Sequence, residues 1–237
     1  MTGSNRTGGI AALAASSTFI VGIAMFATLM SDYATGDPDA GESVAFLVDH
    51  QAPFLIWNLV IYIVFGVALV PVVLALHARL SDRANMTMQI ATTFGVIWAG
   101  LVIGTGMIAN IGLGTIVDLY ETEPSSAEPV WSTLDAVQNG LGGGNELVGG
   151  LWVLLVSWVA LGTKLLPRSL GYLGLVCGIA GLVTVIPALE AVGAVFGLGL
   201  IVWFAWLGAF LLRETTRDEL SAPGSTPAAH AAEESGR

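Results

Sequence analysis

Six stretches of this chain are apolar for long enough to cross a bilayer, and that leaves it few folds. Crossing hydrocarbon takes about 20 residues at helical rise. Runs of that order occupy Ile10 to Met30, Pro53 to Leu76, Met88 to Val117, Leu147 to Leu166, Leu170 to Leu189 and Ala191 to Leu212. Within hydrocarbon, each backbone N–H and C=O must be satisfied inside its own segment or a closed sheet, and runs of this length fit helices. The sequence therefore predicts an all-α fold, a polytopic bundle of six transmembrane helices over residues 1–213. A polar tail follows over 214–237, rich in Ala, Ser and Pro and without apolar period, and is expected to be disordered. Composition agrees: 54% of residues are hydrophobic and 11% charged, against about a quarter charged in soluble domains. The first run is longer than the apolar core of a signal peptide and has no clear small-residue cleavage site close behind it, so it is read as a span.

The positive charges fix an orientation. All eight Lys and Arg, namely Arg6, Arg79, Arg83, Lys164, Arg168, Arg213, Arg217 and Arg237, fall on one side of a six-pass zigzag. The positive-inside rule assigns that side to the cytoplasm, which puts both termini there. An even number of spans requires the same, so charge and count agree independently. The net charge of −10 disfavours nucleic acid as a partner; the expected partner is the lipid bilayer.

The outer loops are acidic and carry no cation. The first, "SDYATGDPDAGESVAFLVDHQ", holds Asp32, Asp37, Asp39, Glu42 and Asp49; the second, Asp118 to Asn145, adds Glu121, Glu123, Glu128 and Asp135. Within the second, "SSAEPVWSTLDAVQNGL" predicts a short amphipathic surface helix with Val130, Trp131, Leu134 and Val137 on one face. Gly171, Gly174, Gly178 and Gly181 recur at spacings of three and four along one face of the fifth helix. Gly100 with Gly104, and Gly193 with Gly197, repeat the small-xxx-small spacing. Such stripes let helix backbones approach closely. Pro71 is expected to kink the second helix. Runs one to three show no convincing repeat in runs four to six. Tyr33, Trp57, Tyr120 and Trp152 are expected near the outer interface and Tyr172 near the inner one, whereas Trp98, Trp158, Trp203 and Trp206 lie deeper, facing the bundle interior or a ligand.

Several chemistries lack their residues. Cys177 is the single cysteine, so an internal disulfide and a cysteine cluster are excluded. His50 and His77 flank the second run, 27 residues apart, about the membrane thickness at ~1.5 Å per residue, and His230 is in the tail. No histidine pair is placed for haem or metal. No serine or cysteine nucleophile has a nearby base at membrane depth, and no paired-carboxylate, Walker or dinucleotide motif appears. The chain is thus expected to be no enzyme and to carry no cofactor. The glycine-rich "NGLGGGNELVGG", Asn139 to Gly150, has Asn145 and Glu146 where a phosphate loop needs lysine. It reads as a flexible approach to a helix capped by Asn145, with Glu146 set against the positive end of the dipole.

What remains is a set of polar groups in the outer half: Asn58, Asn110, Asp118, Glu146 and Glu190. No Lys or Arg lies on that side to neutralise the three acids. Two readings stay open. The acids mark helix ends at the water interface while the two asparagines bond neighbouring helices; or the five form an outward-facing vestibule for a cation or small cationic ligand.

At "GTKLLPRSLGYLGLVCGIAGLV", Gly162 to Val183, a short basic joint (Lys-x-x-Pro-Arg, then Leu-Gly) separates two apolar helices. Together with the ending "GLGLIVWFAWLGAFLLR", Gly197 to Arg213, it resembles a family of six-helix prokaryotic integral membrane proteins carrying a domain of unknown function. The resemblance spans most of Ile10 to Arg213. It implies six helices in a prokaryotic plasma membrane, with no known activity and no functional residues to transfer. Two functions are then expected as alternatives: a small carrier or permease-like protein using an acidic outer vestibule, or a non-transporting accessory protein that associates with its own copies or a membrane partner through glycine-lined helix faces. An intramembrane enzyme or redox carrier is disfavoured by the missing nucleophile and ligand pairs.

Overall fold

The computed structural model describes residues 2–29, 39–143 and 146–221. Among these the chain is helical throughout, with no strand. Helix α1 spans Thr2–Leu29, α2 Ala40–Asp49, α3 Gln51–Asn58 and α4 Phe65–Leu80, with a π-helical stretch at Leu59–Val64 joining α3 to α4. Helix α5 spans Asn85–Thr122, α6 Pro124–Gln138, α7 Leu147–Thr163, α8 Arg168–Val183 and α9 Gly193–Ser221. Four segments are long and apolar enough to cross a membrane: Gly3–Thr28, Gln51–Arg83, Asn85–Thr122 and Gly193–Arg217. Helices α7 and α8 are apolar but shorter. At 17 residues, α7 is about 25 Å long, short of the ≈ 30 Å hydrocarbon core.

Six helices form a closed ring in chain order: α1 packs on α4, α4 on α5, α5 on α7, α7 on α8, α8 on α9, and α9 returns to α1. The seam between α9 and α1 closes at two glycines, where a Cβ on Gly208 would stand 2.8 Å from the Gly9 carbonyl oxygen. Higher on the same seam, the Ser16 hydroxyl donates to the Ile201 carbonyl at 2.9 Å. The described cations Arg6, Arg79, Arg83, Lys164, Arg168, Arg213 and Arg217 gather at the ring end where α4 finishes and α9 continues past its apolar stretch. There Arg79, almost fully buried, pairs with Glu214, donates to the Leu165 carbonyl through Nε at 3.2 Å and Nη2 at 2.9 Å, and lies over the Phe210 ring. Leu165 belongs to the α7–α8 joint, whose Lys164 has the left-handed φ of 59° that ends α7. One guanidinium thus satisfies a carbonyl left open beyond a helix C-terminus and ties the joint to α4 and α9.

Because that joint anchors both short helices at the cationic end, their missing length lies at the other end. Trp98 on α5 is level with Gly149 near the start of α7. Helix α5 continues another 24 residues beyond Trp98, about 36 Å. Its far portion is covered by α6, which folds back on it and buries Ala127 against Val44 and Ile116.

Some expectations end differently here. The stretch read as the first outer loop holds α2 and the start of α3; α2 starts at a reciprocal cap in which the Asp39 carboxylate accepts from the Glu42 N–H at 2.9 Å and Glu42 accepts from the Asp39 N–H at 3.3 Å. Helix α8 stops at Val183 and a 3₁₀ turn covers Pro187–Val192, because Pro187 cannot continue the helix. Helix α9 runs to Ser221, past the expected end at Leu212, and Arg213 through Ser221 continue its helical path; the rest of the tail lies outside the described residues. Pro71 sits within α4, and the irregular geometry is about two to three turns upstream, in the π-helical stretch. Trp152, expected near the outer interface, is fully buried in the core, since α7 begins so deep in the ring. Trp158 and Trp206, expected to face inward, are 69% and 40% exposed. Tyr33 lies outside the described residues.

Candidate functional site: an aromatic cavity with one carboxylate

The ring interior is filled by aromatic side chains seated on glycines. Trp98 of α5 lies on Gly149 of α7, where a Cβ would be 2.6 Å from the indole. Trp152 of α7 lies on Gly95 of α5, with its Nε1 2.7 Å from a Cβ there. Both helices carry the same spacing, Gly95-Val-Ile-Trp98 and Gly149-Gly-Leu-Trp152, and they run antiparallel. Each tryptophan therefore fills the space left by the other's glycine. The two indoles are 5.8 Å apart, and Trp152 stands edge-on to Trp203 at 5.7 Å. Of the α8 stripe, Gly171 abuts Leu161, Gly174 abuts Ser157 and Trp203, Gly178 abuts Leu154, and Gly181 abuts Phe196 and the Glu146 carbonyl. These four glycines thus set α8 against α7 and α9. Gly100, Gly104 and Gly197 have nothing within 4 Å of a Cβ, and Gly193 meets Thr184 alone at 3.4 Å.

Above this packed layer, where α7 and α8 fall short, a cavity of about 450 Å³ opens. Phe65, Trp98 and Phe196 form its floor. Its walls are Phe19, Gly22, Ile23 and Phe26 of α1, Trp57 of α3, and Ile61 and Tyr62 of the π-helical stretch. Trp57 is held in place by donating its Nε1–H to the Gly22 carbonyl at 3.0 Å. The rings form a continuous lining: Phe19 meets Phe65 edge-on at 4.8 Å, Phe65 meets Trp98 at 5.4 Å, and Trp98 lies 6.1 Å from Phe196.

Among the described residues Glu146 is the one charged residue on this wall. It immediately precedes α7, and its N–H donates to the Thr184 hydroxyl at 3.0 Å, while that hydroxyl donates to the Gly181 carbonyl at 2.7 Å. This ties the start of α7 to the end of α8. The carboxylate makes no cap bond to its own helix. Among the described residues the ion pair is Arg79 with Glu214, at the opposite end of the ring. A charge removed from water without a partner is costly.

The five polar residues picked out by sequence do not share one chamber. Asn58 is buried on a second, smaller cavity of about 130 Å³ beneath α6, with Asp135 and Gln138 opposite it and Trp57 common to both cavities. Asn110 lines neither cavity, and its buried Oδ1 has no hydrogen-bond partner among the described residues. Asp118 is exposed on α5. The backbone of Glu190 lies in the 3₁₀ turn, and its side chain, like Asn145, falls outside the described residues. Sequence reasoning missed the aromatic lining; the shared Gly-x-x-Trp spacing of α5 and α7 was its available signal.

His50 and His77, set apart by sequence, have local partners: His50 Nδ1 lies 3.0 Å from the Phe46 carbonyl and His77 Nδ1 lies 2.7 Å from the Thr92 hydroxyl. No curated protein and no solved structure matches the chain. A family model described as a domain of unknown function, DUF4386, matches residues 8–214, nearly the whole of the ring. On that match the chain belongs to the DUF4386 family.

Proposed function

We propose that this is a multi-pass protein of a prokaryotic plasma membrane that binds a cationic solute in the outer half of its ring and acts as a small carrier. The frame is six crossings with both termini cytoplasmic, and it is supported by the gathering of the described Lys and Arg at one end of the ring, as the positive-inside rule requires of a cytoplasmic face. Helices α7 and α8 cross as a recessed pair hung from the Leu165 joint. The observation that carries the ligand reading is Glu146, a carboxylate with no ion-pair partner among the described residues, on the wall of a 450 Å³ cavity. Buried charges in membrane proteins are costly and are retained at substrate and ion pathways.

The test is a thermal-shift screen of the purified protein in nanodiscs against inorganic and organic cations, wild type beside Glu146→Gln. A ligand that binds only the folded state raises the unfolding midpoint. At least one cation is expected to stabilise the wild type and to lose that effect in the variant. If no cation of either kind does so, the reading falls.

The accessory reading keeps one specific support: Gly100 and Gly104 face open space on the outside of α5, leaving a groove of the kind that admits a neighbouring helix. The α8 glycines are taken up within the chain's own ring.

A further inference from the structure

The lining of the larger cavity narrows the kind of cation it suits. We infer that the site takes an organic ammonium ion bearing apolar substituents, its nitrogen set near Glu146 and its body against the aromatic walls. This rests on reading the cavity as a ligand site, and it deepens that reading by naming the class.

Three physical arguments lead there. A hard inorganic cation gives up its water only to a shell of oxygens, six to eight in the case of calcium. Among the described residues the side-chain oxygens on this wall are the Glu146 carboxylate and the Tyr62 hydroxyl, and the Gly22 carbonyl is already taken by Trp57, a sparse set for such a shell. Aromatic faces, by contrast, attract a cation through the ring quadrupole, and the attraction grows when water is excluded; Trp57, Tyr62 and Trp98 offer rings on the same wall as the carboxylate. An anion would be repelled by Glu146, which has no Lys or Arg among its described cavity neighbours. A neutral hydrocarbon would fill the apolar space but leave that carboxylate uncompensated. The volume of about 450 Å³ lies within the range of ~300–1,000 Å³ that holds drug-sized molecules, much larger than a bare metal ion.

The experiment is equilibrium binding of radiolabelled benzyltrimethylammonium to the full-length protein in nanodiscs. The competitors are neopentylbenzene, its neutral carbon isostere supplied through the lipid, and calcium or sodium chloride. We expect saturable binding, weakened about tenfold or more in Glu146→Gln, largely retained in Glu146→Asp, and not displaced by neopentylbenzene. Exchange of the exposed Asp118 for Asn is expected to leave binding unchanged. If calcium or sodium binds through Glu146 while benzyltrimethylammonium does not, the organic class is wrong and the cation-binding reading survives. If neopentylbenzene competes as well as the ammonium and Glu146→Gln binds normally, the cavity is merely apolar and both readings fall. Should Glu146→Gln fail to fold, the wild-type comparison of ammonium with isostere decides the matter alone: equal binding overturns the inference.

Discussion

Trp98 lies against Gly149 so closely that a single added carbon on the glycine would stand 2.6 Å from its indole. The same relation holds in reverse between Trp152 and Gly95. The pair fixes the height of α7 against α5 and with it the depth at which α7 begins. That depth creates the cavity, so a packing device between two helices sets the place of Glu146.

Substitution tests this directly. Gly149→Ala would force a methyl group into an indole held in the core, where overpacking costs about 1–3 kcal/mol. Gly100→Ala meets open space and relieves glycine's helix penalty, so it should be neutral or stabilising by about 0.4–1 kcal/mol. Thermal unfolding midpoints in detergent should therefore fall for Gly149→Ala and hold or rise for Gly100→Ala. Equal effects would show that the Trp98–Gly149 fit is slack.

Arg79 should matter to the cationic end out of proportion to its single charge. Lysine cannot reproduce a fork that serves Leu165 and Glu214 together, and hydrogen bonds to charged groups contribute about 1.5–3 kcal/mol. Arg79→Lys is expected to lose a similar amount, read as a lower unfolding midpoint. Glu214→Gln should cost less, since Glu214 is partly open to solvent.

Orientation can be read with an impermeant maleimide on intact cells. Cys177 is buried, so the parent protein serves as the blank. Ser132→Cys in α6 should react at once, and Asp82→Cys, beyond α4, only after permeabilisation; the opposite pattern would invert the topology.

Much of the helical frame was visible in the sequence because apolar runs and the cost of unpaired backbone in hydrocarbon act locally. Helix α6 was legible for the same reason: Val130, Trp131 and Leu134 face the cluster around Ile116 as their spacing suggests, while Val137 stays exposed. Helix α2 was missed although Asp39 and Glu42 stand at capping distance, because the acids of that stretch read as a solvated loop. The binding cavity was hard to see for a different reason. It arises where α7 begins too low, and that depends on which glycine faces which tryptophan across two helices. Asn58, Asn110 and Glu146 all read as outer-half residues, yet helix rotation and the depth at which α7 begins send them to different places. Hydropathy reports depth, not azimuth.

The seam at Gly9 and Gly208 has a consequence for biogenesis. The ring closes by returning the last-made of these helices to the first-made, so α1 must wait in the bilayer, its small-residue face uncovered, until the ribosome has delivered everything between. Contacts so distant along the chain are slow to form, so this juncture is expected to close late in assembly, and a shortened translation product lacking α9 would leave that face of α1 bare.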